Sequence, residues 1–117
     1  MRVRELMTSE VRTCRAETSL AEAVREMWEG DCGALPVAND EGRVIGMITD
    51  RDICIALATR GRSADRVAVR EVAHGHVRTC LRDDDATVAL QTMKAVRREG
   101  RTLLITNLGK LRACRGN

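Results

Sequence analysis

Residues 3–14 read VRELMTSEVRTC, and residues 69–80 read VREVAHGHVRTC. Seven of the twelve aligned positions are identical at an offset of 66 residues. Ala23/Ala89 and Met27/Met93 continue the register without a gap. Self-similarity over that length means one structural unit used twice. Two copies are too few for a solenoid. They predict an α+β pair of related halves packed face to face with pseudo-twofold symmetry. The boundaries expected from the repeat are 1–61 and 62–117.

Working outward, the first copy reads as strand, helix, strand, strand, helix. VRELM is a short lead-in helix and EVRTC a brief strand. In the next segment Leu20, Ala23, Val24, Met27 and Trp28 fall at i, i+3, i+4, i+7 and i+8, one face of an amphipathic helix. Ser19 and Glu22 make a capping-box pattern at its start, and Gly30 is placed to end it. GALPVAN and RVIGMIT flank the turn NDEG and predict an antiparallel hairpin. Pro36 cannot donate a ladder hydrogen bond, so its side of the strand is expected at an edge or bulge. DRDICIALATRG predicts a second helix with Ile53, Ala56 and Leu57 inward and Gly61 at its end. Residues 62–68 read as a polar connector. In the second copy HVRTC is a strand, and Val88, Met93 and Val96 are the inward candidates of a helix. TLLIT is a strand. The final residues, NLGKLRACRGN, leave a weak last strand and no last helix.

The totals bound the function. A chain of 117 residues suits one compact domain with a moderate core. Trp28 is the single aromatic, so the core is built from aliphatic residues, and base stacking on aromatic rings is not available for binding single-stranded nucleic acid. Net charge is +3. Residues 94–117 hold seven Lys or Arg and one acid, so that segment carries +6 and the preceding 93 residues −3. A solvated basic face is the default for such a segment. Five cysteines without a C-x-x-C spacing or an export signal point to a reducing cytoplasm. No apolar run approaches the ~20 residues that cross a bilayer.

The run DCGALPVANDEGRVIGMITDRDI resembles the signature part of a CBS domain, with ALPV, an acidic-glycine turn, GMIT and Thr-x-x-Asp in the family's order. The tandem copies resemble the paired CBS unit known as a Bateman module, in its small stand-alone bacterial form, with a degenerate or truncated second repeat. The resemblance covers residues 1 to about 106. It implies βαββα units and a regulatory, non-enzymatic role: an adenosine-containing ligand (AMP, ADP, ATP or S-adenosylmethionine) bound in the cleft between the copies. It implies no required cofactor, a flat homodimer, and a regulated protein partner. The matching positions are Thr49 and Asp52, with Asp52 accepting from the ribose hydroxyls and Thr49 donating to a phosphate or the ribose. Thr13 and Cys14 would line the adenine through backbone groups, and Ala34, Leu35 and Pro36 would form an apolar wall.

The residues themselves support this site in part. A helix starting near Asp50 offers backbone N–H groups and a partial positive charge suited to a phosphate. A carboxylate three residues after a hydroxyl lies one turn away, so Thr49 and Asp52 would grip one sugar-phosphate together, with Arg51 near enough in sequence to help with a phosphate. Thr-x-x-Asp is equally a capping pattern, and both roles are compatible. The second copy lacks this motif, so a second site of the same kind is not expected.

Other groups point less far. Cys14 and Cys80 are equivalent positions, read as small buried residues or as a redox pair. Cys32 and Cys54 are expected in the core, and Cys114 as the exposed thiol. His74 and His76 have no third metal ligand nearby and read as a loop, so no metal site is expected. Asp83 to Asp85 read as a helix cap. No nucleophile stands beside a base, and no glycine-rich phosphate loop occurs.

Overall fold

The computed structural model describes residues 1–7, 11–75, 77–98, 105–107 and 111–113, with residues 93–98 and the last two stretches given by their backbone. The elements are α1 (Val3–Leu6), α2 (Leu20–Gly30), β1 (Ala34–Ala38), β2 (Val44–Thr49), α3 (Asp50–Arg60), β3 (Thr79–Cys80), α4 (Ala86–Arg98), β4 (Ile105–Asn107) and β5 (Leu111–Ala113). Single 3-10 turns occur at Ala64–Arg66 and Val69–Glu71. This is the expected α+β mixture. The chain divides into two compact units, Arg12–His76 and Met1–Val11 with Val77–Asn117. That division cuts across the repeat boundary near residue 61, because the opening segment of each copy belongs to the unit that holds the remainder of the other.

In the unit Arg12–His76, β1 and β2 pair antiparallel, with Ala34 opposite Thr49 and Leu35 opposite Ile48. Asn39 builds the turn: its Oδ1 accepts from the N–H groups of Glu41 and Arg43 at 3.0 and 2.9 Å. Gly42 there takes φ 76°, a left-handed value that L side chains disfavour. Cys14 forms a parallel bridge on the outer side of β1; its N–H donates to the Pro36 carbonyl at 3.0 Å, and its carbonyl accepts from Ala38 at 2.9 Å. The N–H that Pro36 lacks falls on this sparsely paired edge, as expected. Of the strand read over EVRTC, the described residues 11–14 keep that single bridge.

Helix α2 begins where its cap predicts, with the Glu22 N–H donating to Ser19 Oγ at 3.2 Å. Its left-handed end is Asp31, at φ 49°, rather than Gly30. Leu20, Ala23 and Met27 pack with Leu35, Val37, Ile48, Ile53 and Ala56 into one core. Each large side chain so enclosed contributes about 1.5–3 kcal/mol. Val24 and Trp28, expected inward, are 42% and 85% exposed. The i, i+3, i+7 seam faces the sheet, and the i+4 and i+8 positions are left beside it. Leu57 of α3 is likewise exposed. Residues 62–68 are more than a connector, because Val67 is enclosed in the core together with the following Val69. No periodic pattern surrounds Val67 to announce this.

In the other unit, α1 docks on the segment before α4: the N–H groups of Val3 and Arg4 donate to the carbonyls of Asp84 and Arg82 at 3.0 and 2.9 Å. Val3, Cys80 and Ala89 are buried together. Val88, expected inward, is exposed, and Ala89 faces the core instead. Asp85 caps α4 by accepting from the Thr87 N–H at 2.9 Å. β3 pairs parallel with β4, and β4 antiparallel with β5. The last strand of the second copy is therefore present, although its sequence reads as weak. The side chains of Met93 and Val96, the whole of His76 and Cys114, and residues 99–104 lie outside the described residues.

Candidate functional site

Strand β2 runs into α3 with no intervening loop. Thr49 is both the last strand residue and the N-cap, with extended backbone at φ −115°, ψ 161°. Its Oγ1 accepts from the Asp52 N–H at 3.1 Å, and Asp52 Oδ2 accepts from the Thr49 N–H at 2.9 Å. This is the reciprocal capping box, and it fixes both side chains without a ligand. The second carboxylate oxygen, Asp52 Oδ1, lies 2.8 Å from His74 Nε2. The Asp52 side chain is 15% exposed and that of His74 38%.

The helix start differs from the phosphate cradle expected of it. The Asp50 N–H donates to the Gly33 carbonyl at 2.9 Å, the Arg51 N–H to Asp50 Oδ1 at 2.8 Å, and the Asp52 N–H to Thr49. The donors of the first turn are thus used within the chain, and Asp50 and Asp52 place two acids there. Acids beside a helix N-terminus offset its partial positive charge. What remains suited to a ligand is a hydroxyl and a carboxylate, groups that recognise sugar hydroxyls better than a phosphate. Arg51 is exposed beside them.

The other expected site residues follow β1 and the Cys14 bridge on its outer side, where the Cys14 N–H donates to the Pro36 carbonyl. Ala34 stands opposite Thr49 in the β1–β2 register and is half-buried. Leu35 and Pro36 are buried, and Leu35 is enclosed in the core, so its side chain is not available as a wall against a ligand. Thr13 and Cys14 also line a depression of about 360 Å³, bordered by Arg15, Arg25, Glu22 and Glu26. None of the remaining six expected residues lines it. The Cys14 thiol is pushed up to about 11, chiefly by burial and secondarily by the charge of Glu26, so it is protonated near neutrality. Cys80 is buried as well. Cys32 and Cys54, expected in the core, are exposed. Cys54 follows the buried Ile53 on α3, and successive helix residues point about 100° apart.

The residue that sequence reading missed is His74. It read as part of a loop, yet its backbone is bridged to β2 through Met47 and its ring meets Asp52. The repeat carried one signal: His74 replaces Thr8 where the two copies align. Among the described residues no group of three or more His, Cys, Asp or Glu side chains is placed to hold a metal ion. No helix among them is long and apolar enough to cross a membrane.

Residues 3–59 match the family model described as the CBS domain. Hypoxic response protein 1 of Mycobacterium tuberculosis is 33% identical over 96 residues, covering 82% of this chain and 64% of that protein. The chain thus spans a little under two thirds of that relative's length. Among solved structures, a CBS domain protein from Pyrobaculum aerophilum complexed with AMP superposes with a TM-score of 0.80 at 22% identity, covering 95% of this chain and 83% of that one. The CBS domain pair of protein MJ0100, in complex with 5′-methylthioadenosine and S-adenosyl-L-methionine, gives a TM-score of 0.80 at 18% identity, covering 95% and 85%. At those identities the likeness is one of fold.

Proposed function

Because the chain belongs to the CBS-domain family, we propose that it is a regulatory module that senses an adenosine-containing molecule, an adenine nucleotide or S-adenosylmethionine. The carrying observation is the Thr49–Asp52 pair, held rigidly at the junction of β2 and α3 with the carboxylate still partly exposed. Asp52 accepts from the ribose hydroxyls, Thr49 contributes its hydroxyl, Ala34 lies alongside, and Arg51 reaches a phosphate. Support also comes from the AMP and S-adenosylmethionine held by the two fold neighbours. Binding shifts the module between two packing states with different ligand affinity, and a protein partner reads the change. The reading places the protein in the cytoplasm.

Self-association belongs to the same proposal. Trp28 and Val24 lie one turn apart on α2 and leave apolar surface in water. A second copy of the chain covers it. Since Trp28 is the only aromatic residue, its emission reports directly on that burial.

The reciprocal bonds of Thr49 and Asp52 favour a second reading, a helix cap in an association module that takes no ligand. Thermal denaturation with AMP, ATP and S-adenosylmethionine separates the two. A ligand at 100 times its dissociation constant stabilises by about 2.7 kcal/mol. Asp52→Ala is expected to abolish that shift while costing about 1 kcal/mol through the lost cap. A shift that survives Asp52→Ala removes Asp52 from the site.

A further inference from the structure

Resting on that reading, we propose that His74 is a built-in competitor for the ligand's ribose, occupying the oxygen of Asp52 that the helix cap leaves over. An ionised carboxylate only accepts hydrogen bonds, so Nε2 of His74 carries the proton and donates to Asp52 Oδ1 at 2.8 Å. Oδ2 is engaged by the Thr49 N–H at 2.9 Å. Each carboxylate oxygen accepts up to two hydrogen bonds, so a vicinal diol that donates to both competes with the present partners only for the sites they cover, and on the side of Oδ1 covered by the ring it displaces His74.

The two partners differ in how easily they leave. The Thr49 N–H belongs to the backbone at the end of β2, and moving it breaks the cap on both sides. His74 is anchored differently. Its backbone is clamped to β2 by the Met47 N–H donating to the His74 carbonyl and the His74 N–H donating to the Met47 carbonyl, each at 2.9 Å. The approach is so close that a Cβ on Gly46 would stand 2.8 Å from the His74 carbonyl oxygen. The ring, 38% exposed, rotates into solvent with no change in that backbone. The imidazole is thus the exchangeable ligand of Asp52, returned to the same place whenever the diol leaves. It holds the carboxylate satisfied in the empty site and lowers affinity by the strength of the bond it forfeits.

Isothermal titration of AMP, ATP and S-adenosylmethionine into the full chain and its His74→Ala variant tests this. The variant is expected to bind about tenfold more tightly, the equivalent of one net hydrogen bond of about 1.4 kcal/mol. His74→Gln keeps a donor for Asp52 and is expected to bind close to the wild type. The gain on His74→Ala is expected to vanish for 2′-deoxy-AMP, which lacks the diol. Unchanged or weaker binding by His74→Ala, or an equal gain with the deoxy compound, overturns the competition and leaves the ligand-sensing reading standing. Absence of binding by every compound to both chains overturns both. Imidazole nitrogen chemical shifts of the ligand-free protein check the contact itself: the Nε2–H form is expected in the wild type, and its loss of preference in Asp52→Asn confirms the partner.

Discussion

The two copies of the repeat dock their opening segments in the same way, onto cores that differ in the residues described around them. Val3 donates to Asp84, and Val69 donates to Thr18; Arg4 donates to Arg82, and Arg70 to Ala16; Ala86 donates to Met1, and Leu20 to Val67. Every one of these pairs is related by the 66-residue offset. Glu5 accepts from the Arg2 N–H and Glu71 from the Ala68 N–H, both at 2.7 Å. The buried trio Val3, Cys80 and Ala89 repeats Val69, Cys14 and Ala23. Around the second trio, however, the core extends through Leu20, Met27, Leu35, Val37, Ile48, Ile53, Ala56 and Val67. Among the described residues the first trio gains only Met7. Backbone pairing thus follows the repeated segment, while the side chains that enclose it differ among the described residues.

The largest expected effect falls where the two copies differ in sequence. Leu20 is fully buried, and its counterpart 66 residues on is Ala86. Leu20→Ala is expected to cost about 2–5 kcal/mol in chemical denaturation, as for other buried leucines. A cost below about 1 kcal/mol would mean that the unit Arg12–His76 does not depend on this enclosed leucine.

Val69→Ala and Val3→Ala sharpen the comparison next. Both side chains are enclosed, so each substitution removes two methyl groups and is expected to cost about 1.5–3 kcal/mol. Equal costs support equivalent docking; a loss confined to Val69→Ala shows that the lead-in matters only in the unit Arg12–His76. Ser19→Ala and Asp85→Ala test the equivalent helix starts, at about 1 kcal/mol each, by thermal melting.

The smallest effect is one of pH. The folded Cys14 thiol is raised to about 11 by burial, above its unfolded value. Its contribution is therefore complete below the ordinary thiol range and is lost as pH rises through about 11. Melting temperatures are expected to fall over that interval, and less steeply in Cys14→Ser. At neutral pH a thiol-specific reagent is expected to label exposed Cys32 and Cys54 well before Cys14.

The chain alone carries the repeat, the hairpin and the Thr49–Asp52 motif, because each rests on local spacing: alternation, turn residues, and a hydroxyl one helical turn from a carboxylate. The capping bonds follow from that spacing directly. Which side of α2 faces the sheet does not, since five apolar residues make a stripe wider than the seam that is filled, and Trp28 falls outside it. Val67 gives no local sign of being core. The placement of His74 against Asp52 joins residues 22 apart and depends on a backbone bridge to Met47. Sequence determined the elements and the chemistry of their ends, which are set within a few bonds of the chain. Tertiary structure decided which donors remained for a ligand and which were already taken, because that depends on partners brought together only by folding.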